Sequence, residues 1–365
     1  MRLGFDAKRF YNNSTGLGNY ARNLIGAFDE RGMREAITLF TPRVSSPFLG
    51  LLDQNQDRTV IPTKKRALWR QVGIARDLEK KQIDVYHGLS AELPLQIPEG
   101  VKTVVTIHDM LFRRFPTYYS YFDRMIYDRK TRRAVEKADR VIAISQATKQ
   151  DLINYYGKDP DLIHVIPVIC RMPIINEAGQ TSDSDRISGI PEEYLLCVSR
   201  FERRKNHLNL LKAMASLGSN APHLVLAGAD GDQLKALRAY VKDNKLQNQV
   251  SIVVNPPGTI LSQLYANCRA FIFPSMYEGF GMPVLEAMQF GKVVMTTENS
   301  SMSEICGDSG LYFDAFDPES IAECISSASQ GKLDEHSALL GAQIELFSTD
   351  RIVKAHQEIY SGLAS

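Results

Sequence analysis

Cysteine is scarce and scattered: Cys170, Cys197, Cys268, Cys306 and Cys324 are odd in number and never closer than 18 positions. That spacing excludes a disulfide framework and a Cys-x-x-Cys metal site, and it suits a reducing cytoplasm. Net charge is nearly absent, +1 over 43 basic and 42 acidic residues, so the chain as a whole gives no reason to expect nucleic acid as a partner. No run of roughly 18 apolar residues occurs, and Met1 leads straight into Arg2-Leu3-Gly4-Phe5-Asp6 with no apolar signal core. Neither a membrane span nor export by a recognisable signal is expected. Internal repeats are missing, which excludes a solenoid. The compact Gly-x-Gly-x-x-Gly turn that a dehydrogenase needs is missing as well.

What is present is an ordinary globular mix of 365 residues, 44% hydrophobic and 23% charged, enough for about two domains. Short Val- and Ile-rich runs alternate with longer segments of helical period, the pattern of parallel strands joined by helical crossovers. Strands are expected near 2–7, 36–41, 84–87, 102–107, 140–144 and 163–166, then near 194–199, 223–227, 250–254, 270–274, 293–297 and 311–313. Between the two sets lie Pro173, Gly179, Gly189, Pro191 and the polar run from Gln180 to Asp185, which offers little to bury. The expected organisation is a domain over 1–170, a linker over 171–192, a second domain over 193–348 and a terminal helix within 349–365. In that helix Ile352, Val353, Ile359, Tyr360 and Leu363 fall roughly on one stripe. The charge is split: residues 1–170 hold 27 basic against 19 acidic side chains, the remainder 16 against 23.

In open parallel sheets ligands bind beyond the carboxyl ends of strands, so unusual residues directly after strands are the candidates. The strongest segment runs from Phe273 to Met288. A strand ends, a glycine-containing loop follows, and Pro283 stands where its fixed φ suits the first turn of a helix. The free amides of that helix start, around Gly281 and Met282, favour phosphate. Glu278 lies in the loop and Glu286 is expected on the first helical turn, where both carboxylates can accept hydrogen bonds from sugar hydroxyls. In Leu195–Asn206 a strand delivers Arg200 to its end and Lys205 stands before the next helix, two cations suited to a diphosphate. Arg203 and Arg204 read as a solvated charge run. Gly16-Leu17-Gly18 precedes an expected helix start and reads either as a ligand-facing loop or as a turn. His108 ends the strand Val104–Ile107, and His87, at the end of Asp84-Val85-Tyr86, competes with it.

Taken together these segments resemble the retaining glycosyltransferases of family 4, whose signature Glu-x7-Glu is matched by Glu278 and Glu286. The resemblance spans nearly the whole chain. It implies an α/β chain with the GT-B fold, two facing Rossmann-like domains around a deep cleft, with the last helix returning to the first domain. It also implies a nucleoside diphosphate sugar donor and a saccharide or lipid-linked saccharide acceptor. Arg200 and Lys205 would hold the diphosphate with the amides of Gly281 and Met282; Glu286 would take the ribose and Glu278 the transferred sugar. Gly16 and Gly18 would approach the donor from the other domain, and His108 would line the reacting centre. No cofactor and no metal are expected: Asp159-Pro-Asp161, Asp183-Ser-Asp185 and Asp230-Gly-Asp232 fit Asp-x-Asp, but three matches among loops look like chance. GDP-mannose is the first expectation for the donor and UDP-sugars come next. Asn255-Pro256-Pro257-Gly258 departs from the family pattern and leaves the base contacts open. A sugar-nucleotide epimerase of similar fold, or a non-catalytic binding protein, remains an alternative. Lys64-Lys65-Arg66, Arg113-Arg114 and Arg124, Arg129, Lys130, Arg132 and Arg133 give the first half a basic face that would either be solvated or dock a cytoplasmic protein on anionic lipid.

Overall fold

The structure is a computed structural model and describes residues 1–63, 68–171, 189–328 and 332–364. The chain divides into two compact units, one formed by Met1–Cys170 with Phe347–Ser365, the other by Arg171–Leu346. Most of the expected linker and the basic run Lys64-Lys65-Arg66 lie outside the described residues.

The first unit is built on seven strands: β1 (Leu3–Asp6), β2 (Ile37–Phe40), β3 (Thr59–Val60), β4 (Val85–Gly88), β5 (Lys102–Ile107), β6 (Arg140–Ala143) and β7 (Ile163–Val165). They lie in the order β3-β2-β1-β4-β5-β6-β7, every neighbouring pair parallel. The second unit has β8 (Tyr194–Val198), β9 (His223–Gly228), β10 (Val250–Val254), β11 (Ala270–Phe273), β12 (Val294–Thr297) and β13 (Gly310–Phe313), ordered β10-β9-β8-β11-β12-β13 and again all parallel. Both are Rossmann-like sheets. Central strands such as β8 (Tyr-Leu-Leu-Cys-Val) and β11 (Ala-Phe-Ile-Phe) are buried at every position, as strands covered by helices on both faces must be. The strand order reverses between β1 and β4 in one sheet and between β8 and β11 in the other, and a ligand site is expected at such a reversal. The two-residue edge strand β3 carries no apolar run and is not foreseen from the sequence.

The C-terminal helix Thr349–Ala364 belongs to the first unit, where Ile352, Val353, Ile359 and Tyr360 are buried. Leu363 is only half buried, and His356 extends the stripe instead. Tyr360 packs edge-on against Phe5, and its hydroxyl meets His87 Nδ1 at 2.7 Å. All five cysteines are buried free thiols. Among the described residues no helix is long and apolar enough to cross a membrane.

Candidate active site

In the second unit the loops after β8 and β11 flank the strand reversal, and one asparagine bolts them together. Asn206 adopts a left-handed φ of 60°, which a short polar side chain tolerates, and precedes the helix His207–Leu217. Its buried Nδ2 donates to Pro274 O at 3.1 Å and to Ala315 O at 2.6 Å. The turn Arg203–Lys205 just ahead is thereby pressed against the β11 loop, and Met276 N–H donates to Arg204 O at 3.1 Å.

The centre of the site is Glu278, 8% exposed. Its Oε1 accepts from Lys205 Nζ at 2.5 Å, Arg204 Nη1 at 2.6 Å and Ser275 Oγ at 2.5 Å. Burial pushes the carboxyl pKa up, but Lys205 and Arg204 outweigh it and hold Glu278 at about 2. Burial also draws the Lys205 pKa down, and Glu278 restores only part of that. Arg204 also stands 3.8 Å from Glu202, which pairs with Arg200, so three cations face two carboxylates and one positive charge remains in excess. Glu278 Oε2 takes no hydrogen bond from the protein among the described residues. The backbone is held as well: Glu278 N–H donates to Ser300 Oγ at 3.1 Å, and Ser301 Oγ donates to the carbonyls of Glu278 and Phe280.

Gly281 caps the helix Met282–Gln289 at φ 105°, and a Cβ there would stand 2.9 Å from Met302 Sδ. Pro283 occupies the first turn as expected, and among the described residues no protein acceptor takes the Met282 amide. Glu286 lies on the second turn of this helix, not the first, because the helix opens at Met282. Its Oε2 accepts from Tyr265 Oη at 2.8 Å, and burial raises its pKa. Among the described residues, the hydrogen-bond partners of Glu286 and Glu278 differ: Tyr265 for the one, and Lys205, Arg204 and Ser275 for the other.

The structure corrects the reading of the basic run. Arg204 is not solvated: it is mostly buried and spans Tyr277 O, at 3.1 Å, and Glu278. Arg203 is exposed, as expected of a charge run. Arg200 stands off the Glu278 cluster with an exposed side chain, its Nε donating to Asp230 O at 3.1 Å and pairing with Glu202 at 3.3 Å. Ser275, Asn206, Ser300 and Ser301 are further members that sequence reasoning missed. Only the position of Ser275, two residues beyond β11, offered a signal.

In the first unit His108 follows β5. Its Nε2–H donates to Leu89 O at 2.9 Å and its ring stands edge-on to Tyr20 at 4.7 Å, so Nδ1 carries the lone pair. Burial pushes its pKa down to about 4, so the ring is neutral at pH 7. His87 spends both nitrogens in the core, on Tyr360 Oη and on Thr106 Oγ1 at 2.8 Å, which makes it a structural residue. Gly16 and Gly18 do not precede the helix but form the first turn of Gly16–Glu30. A Cβ on Gly18 would fall 1.8 Å from Asn13 O, whereas Gly16 has open space around it, so steric need explains Gly18 alone. A missed feature lies at the other strand reversal: Asp6, 3% exposed at the end of β1, is gripped by Arg70, which also pairs with Glu92.

Among the described residues no three His, Cys, Asp or Glu side chains gather as a metal-binding group. Asp159 caps a turn by accepting from Asp161 N–H at 3.0 Å, and Asp230 accepts from Gly231 N–H at 2.8 Å. Asp183 and Asp185 lie outside the described residues.

A family model described as "Glycosyl transferases group 1" matches residues 181–342, and one described as "Glycosyltransferase Family 4" matches residues 14–168. O-antigen chain mannosyltransferase B of Escherichia coli is 28% identical over 252 residues, 67% of this chain and 65% of that one, so the match spans just under two thirds of the relative's length. The fold is shared with a glycosyltransferase of Rickettsia africae, at TM-score 0.72 and 20% identity over 99% of this chain and 97% of that one. HepE of Anabaena, solved in complex with UDP-glucose, superposes at TM-score 0.73 with 19% identity over 99% and 100% of the two chains. With two parallel Rossmann-like sheets, and with both halves matched by glycosyltransferase models, the chain belongs to the group 1 glycosyltransferases of GT-B fold.

Proposed function

We propose that the protein is a cytoplasmic, retaining, metal-independent hexosyltransferase that moves a sugar, mannose first, from a nucleoside diphosphate sugar to a saccharide or lipid-linked saccharide hydroxyl in surface polysaccharide or glycolipid synthesis. One observation carries the reading: Lys205 and Arg204 converge on Glu278 at the strand reversal, in the loop that leads to the Gly281 helix start. The donor's diphosphate is anionic and gains charge as the glycosidic bond breaks. Preorganised cations and amides lower that barrier more than they aid ground-state binding. Lys205 and Arg204, with the exposed Arg200 and the amides at Gly281 and Met282, supply that field, which is why no metal is invoked.

Glu278 is ionised throughout the neutral range, so it has no proton to donate; its unpaired Oε2 is available to orient a sugar hydroxyl. Glu286, fixed by Tyr265, is assigned to the ribose. By the family resemblance, neutral His108 with its Nδ1 acceptor is assigned to the transferred sugar, and Gly16 and Gly18 to the donor. Retention follows most simply from a front-face reaction in which the departing phosphate oxygen takes the acceptor proton. Mannose as the sugar is supported by the Escherichia coli relative, a mannosyltransferase by name, and GDP-mannose is the donor proposed for it.

The test is a thermal-shift screen against GDP-mannose and UDP-sugars, followed by anomeric analysis of the product by NMR in excess chelator. A donor-specific shift and a retained anomeric centre are expected. Conversion of the donor without acceptor would make the protein an epimerase, binding without turnover would make it a non-catalytic protein, and loss of turnover on chelation would overturn the metal-free assignment.

A further inference from the structure

The His108 ring makes one hydrogen bond, from Nε2–H to Leu89 O at 2.9 Å. A ring pinned at its Cβ and at Nε2 can still turn about the line joining them, and that turn swings Nδ1. Tyr20 stands in the way: the two rings lie 4.7 Å apart and at 86° to each other, so turning the imidazole drives it into the phenol. Tyr20 is itself buried and tied at its far end, where its hydroxyl meets Thr106 Oγ1 at 2.9 Å. Thr106 lies two positions before His108, and residues two apart on a strand share a face with about 7 Å between them. One phenol therefore spans both, and its anchor on Thr106 sets where the ring meets His108. Thr106 is fixed in turn by His87 Nε2 at 2.8 Å, and His87 by Tyr360 Oη at 2.7 Å. The helix that carries Tyr20 is seated by Gly18, which lets Asn13 O approach, and by Arg22, whose Nη1 donates to Phe10 O at 3.0 Å and to Asn13 O at 2.8 Å.

We propose that Tyr20 is a positioning residue for the transfer reaction: its ring, anchored on Thr106, fixes the plane of the His108 imidazole and with it the direction of Nδ1. The inference rests on the assignment of His108 to the transferred sugar. A leucine would serve for packing alone; the phenol adds a second fixed point beside a ring that has only one. A misplacement of about 1 Å at such a group can cost about a hundredfold in rate. Tyr20 touches no substrate in this role. It also keeps water from His108, whose neutrality at pH 7 comes from burial. Besides Tyr20, the charged and titratable side chains that bear on His108 are Arg9, in the helix Lys8–Asn12 after β1, and His87 on β4.

The experiment compares Tyr20→Leu, Tyr20→Phe, Tyr360→Phe and His108→Ala in the full chain, by GDP release from GDP-mannose and by nitrogen-15 NMR of the His108 ring. The NMR arm needs no donor, so it tests the positioning apart from turnover. Tyr20→Leu should lower kcat by about tenfold to a hundredfold with the donor KM little changed, because the diphosphate is assigned to the second unit. Tyr20→Phe keeps the ring and loses only its anchor; it should fall between Tyr20→Leu and wild type, and it carries the test where leucine loosens the core. The wild-type ring should show one Nε2–H form that stays neutral down to about 4. In Tyr20→Leu the two tautomers should mix and the titration should move up toward the ordinary 6.5, taking the acid limb of kcat with it. Tyr360→Phe breaks the same buried chain at its far end and should keep turnover per folded molecule, which separates positioning from lost stability. A wild-type kcat and His108 spectrum in Tyr20→Leu, or a loss of kcat in Tyr360→Phe as large as in Tyr20→Phe, overturns the proposal. Wild-type turnover in His108→Ala would overturn the assignment of His108 beneath it, whereas loss in His108→Ala beside unchanged turnover in Tyr20→Leu would overturn the role of Tyr20 alone.

Discussion

Arg204→Gln removes one of the two cations from Glu278. Holding that carboxylate at about 2 against an ordinary 4.5 corresponds to about 3 kcal/mol in favour of its ionised, paired state. Burial opposes this shift, so the two cations together supply more than that figure. Lys205, whose own pKa burial lowers, offsets part of the gain. Losing one cation while glutamine keeps a hydrogen bond should therefore cost about 1–2 kcal/mol at neutral pH, below the usual cost of breaking a buried pair outright. The sign sets the pH window. The folded carboxyl is depressed, so its stabilising contribution is complete above about 4.5 and is lost as pH falls through about 2. Urea unfolding of wild type and variant across that range, with a carbon-13 titration of the Glu278 carboxyl, measures both parts. The variant's carboxyl should titrate higher yet stay below the ordinary range, because Lys205 remains, and the stability gap should shrink toward acid. A gap unchanged across the window, with the carboxyl unmoved, would show that Arg204 acts through packing or Tyr277 O and not through charge.

Glu278→Gln keeps the shape but leaves Lys205 and Arg204 without their anion and the sugar without its acceptor. Transfer should fall by about a hundredfold to a thousandfold in a donor-turnover assay, and near-wild-type turnover would remove Glu278 from the mechanism. Gly281→Ala forces a side chain into φ 105° against Met302 and should cost about 1–3 kcal/mol in urea unfolding while weakening donor binding by titration calorimetry. Tyr360→Phe strands the buried His87 Nδ1 and should cost about 1–3 kcal/mol, read as a lower melting temperature with turnover per folded molecule preserved.

Local chemistry already announced much of this molecule. Twelve of the strands show as short apolar runs because a parallel strand buried on both faces has no polar alternation to hide it. Gly281 and Pro283 mark a helix start because the left-handed cap and the fixed φ are properties of single residues. The strand β3 stayed hidden because Thr59 and Val60 are too few to form a pattern, and Glu286, the fifth residue of a helix that opens at Met282, falls just past the first turn. Arg203 and Arg204 are the same residue type side by side, yet one has an exposed side chain and the other is mostly buried against a carboxylate 74 positions away.

The order of apolar runs, breakers and caps along the chain was enough to establish two Rossmann-like sheets and to bring Glu278, Gly281 and Lys205 forward as candidates, since each of those signals rests on interactions within a few residues. Which basic side chain holds Glu278, which histidine is spent in the core, and which ring stands against His108 were settled by folding. Electrostatics and burial act between residues close in space, and the spacing of charges along a chain carries no record of that distance.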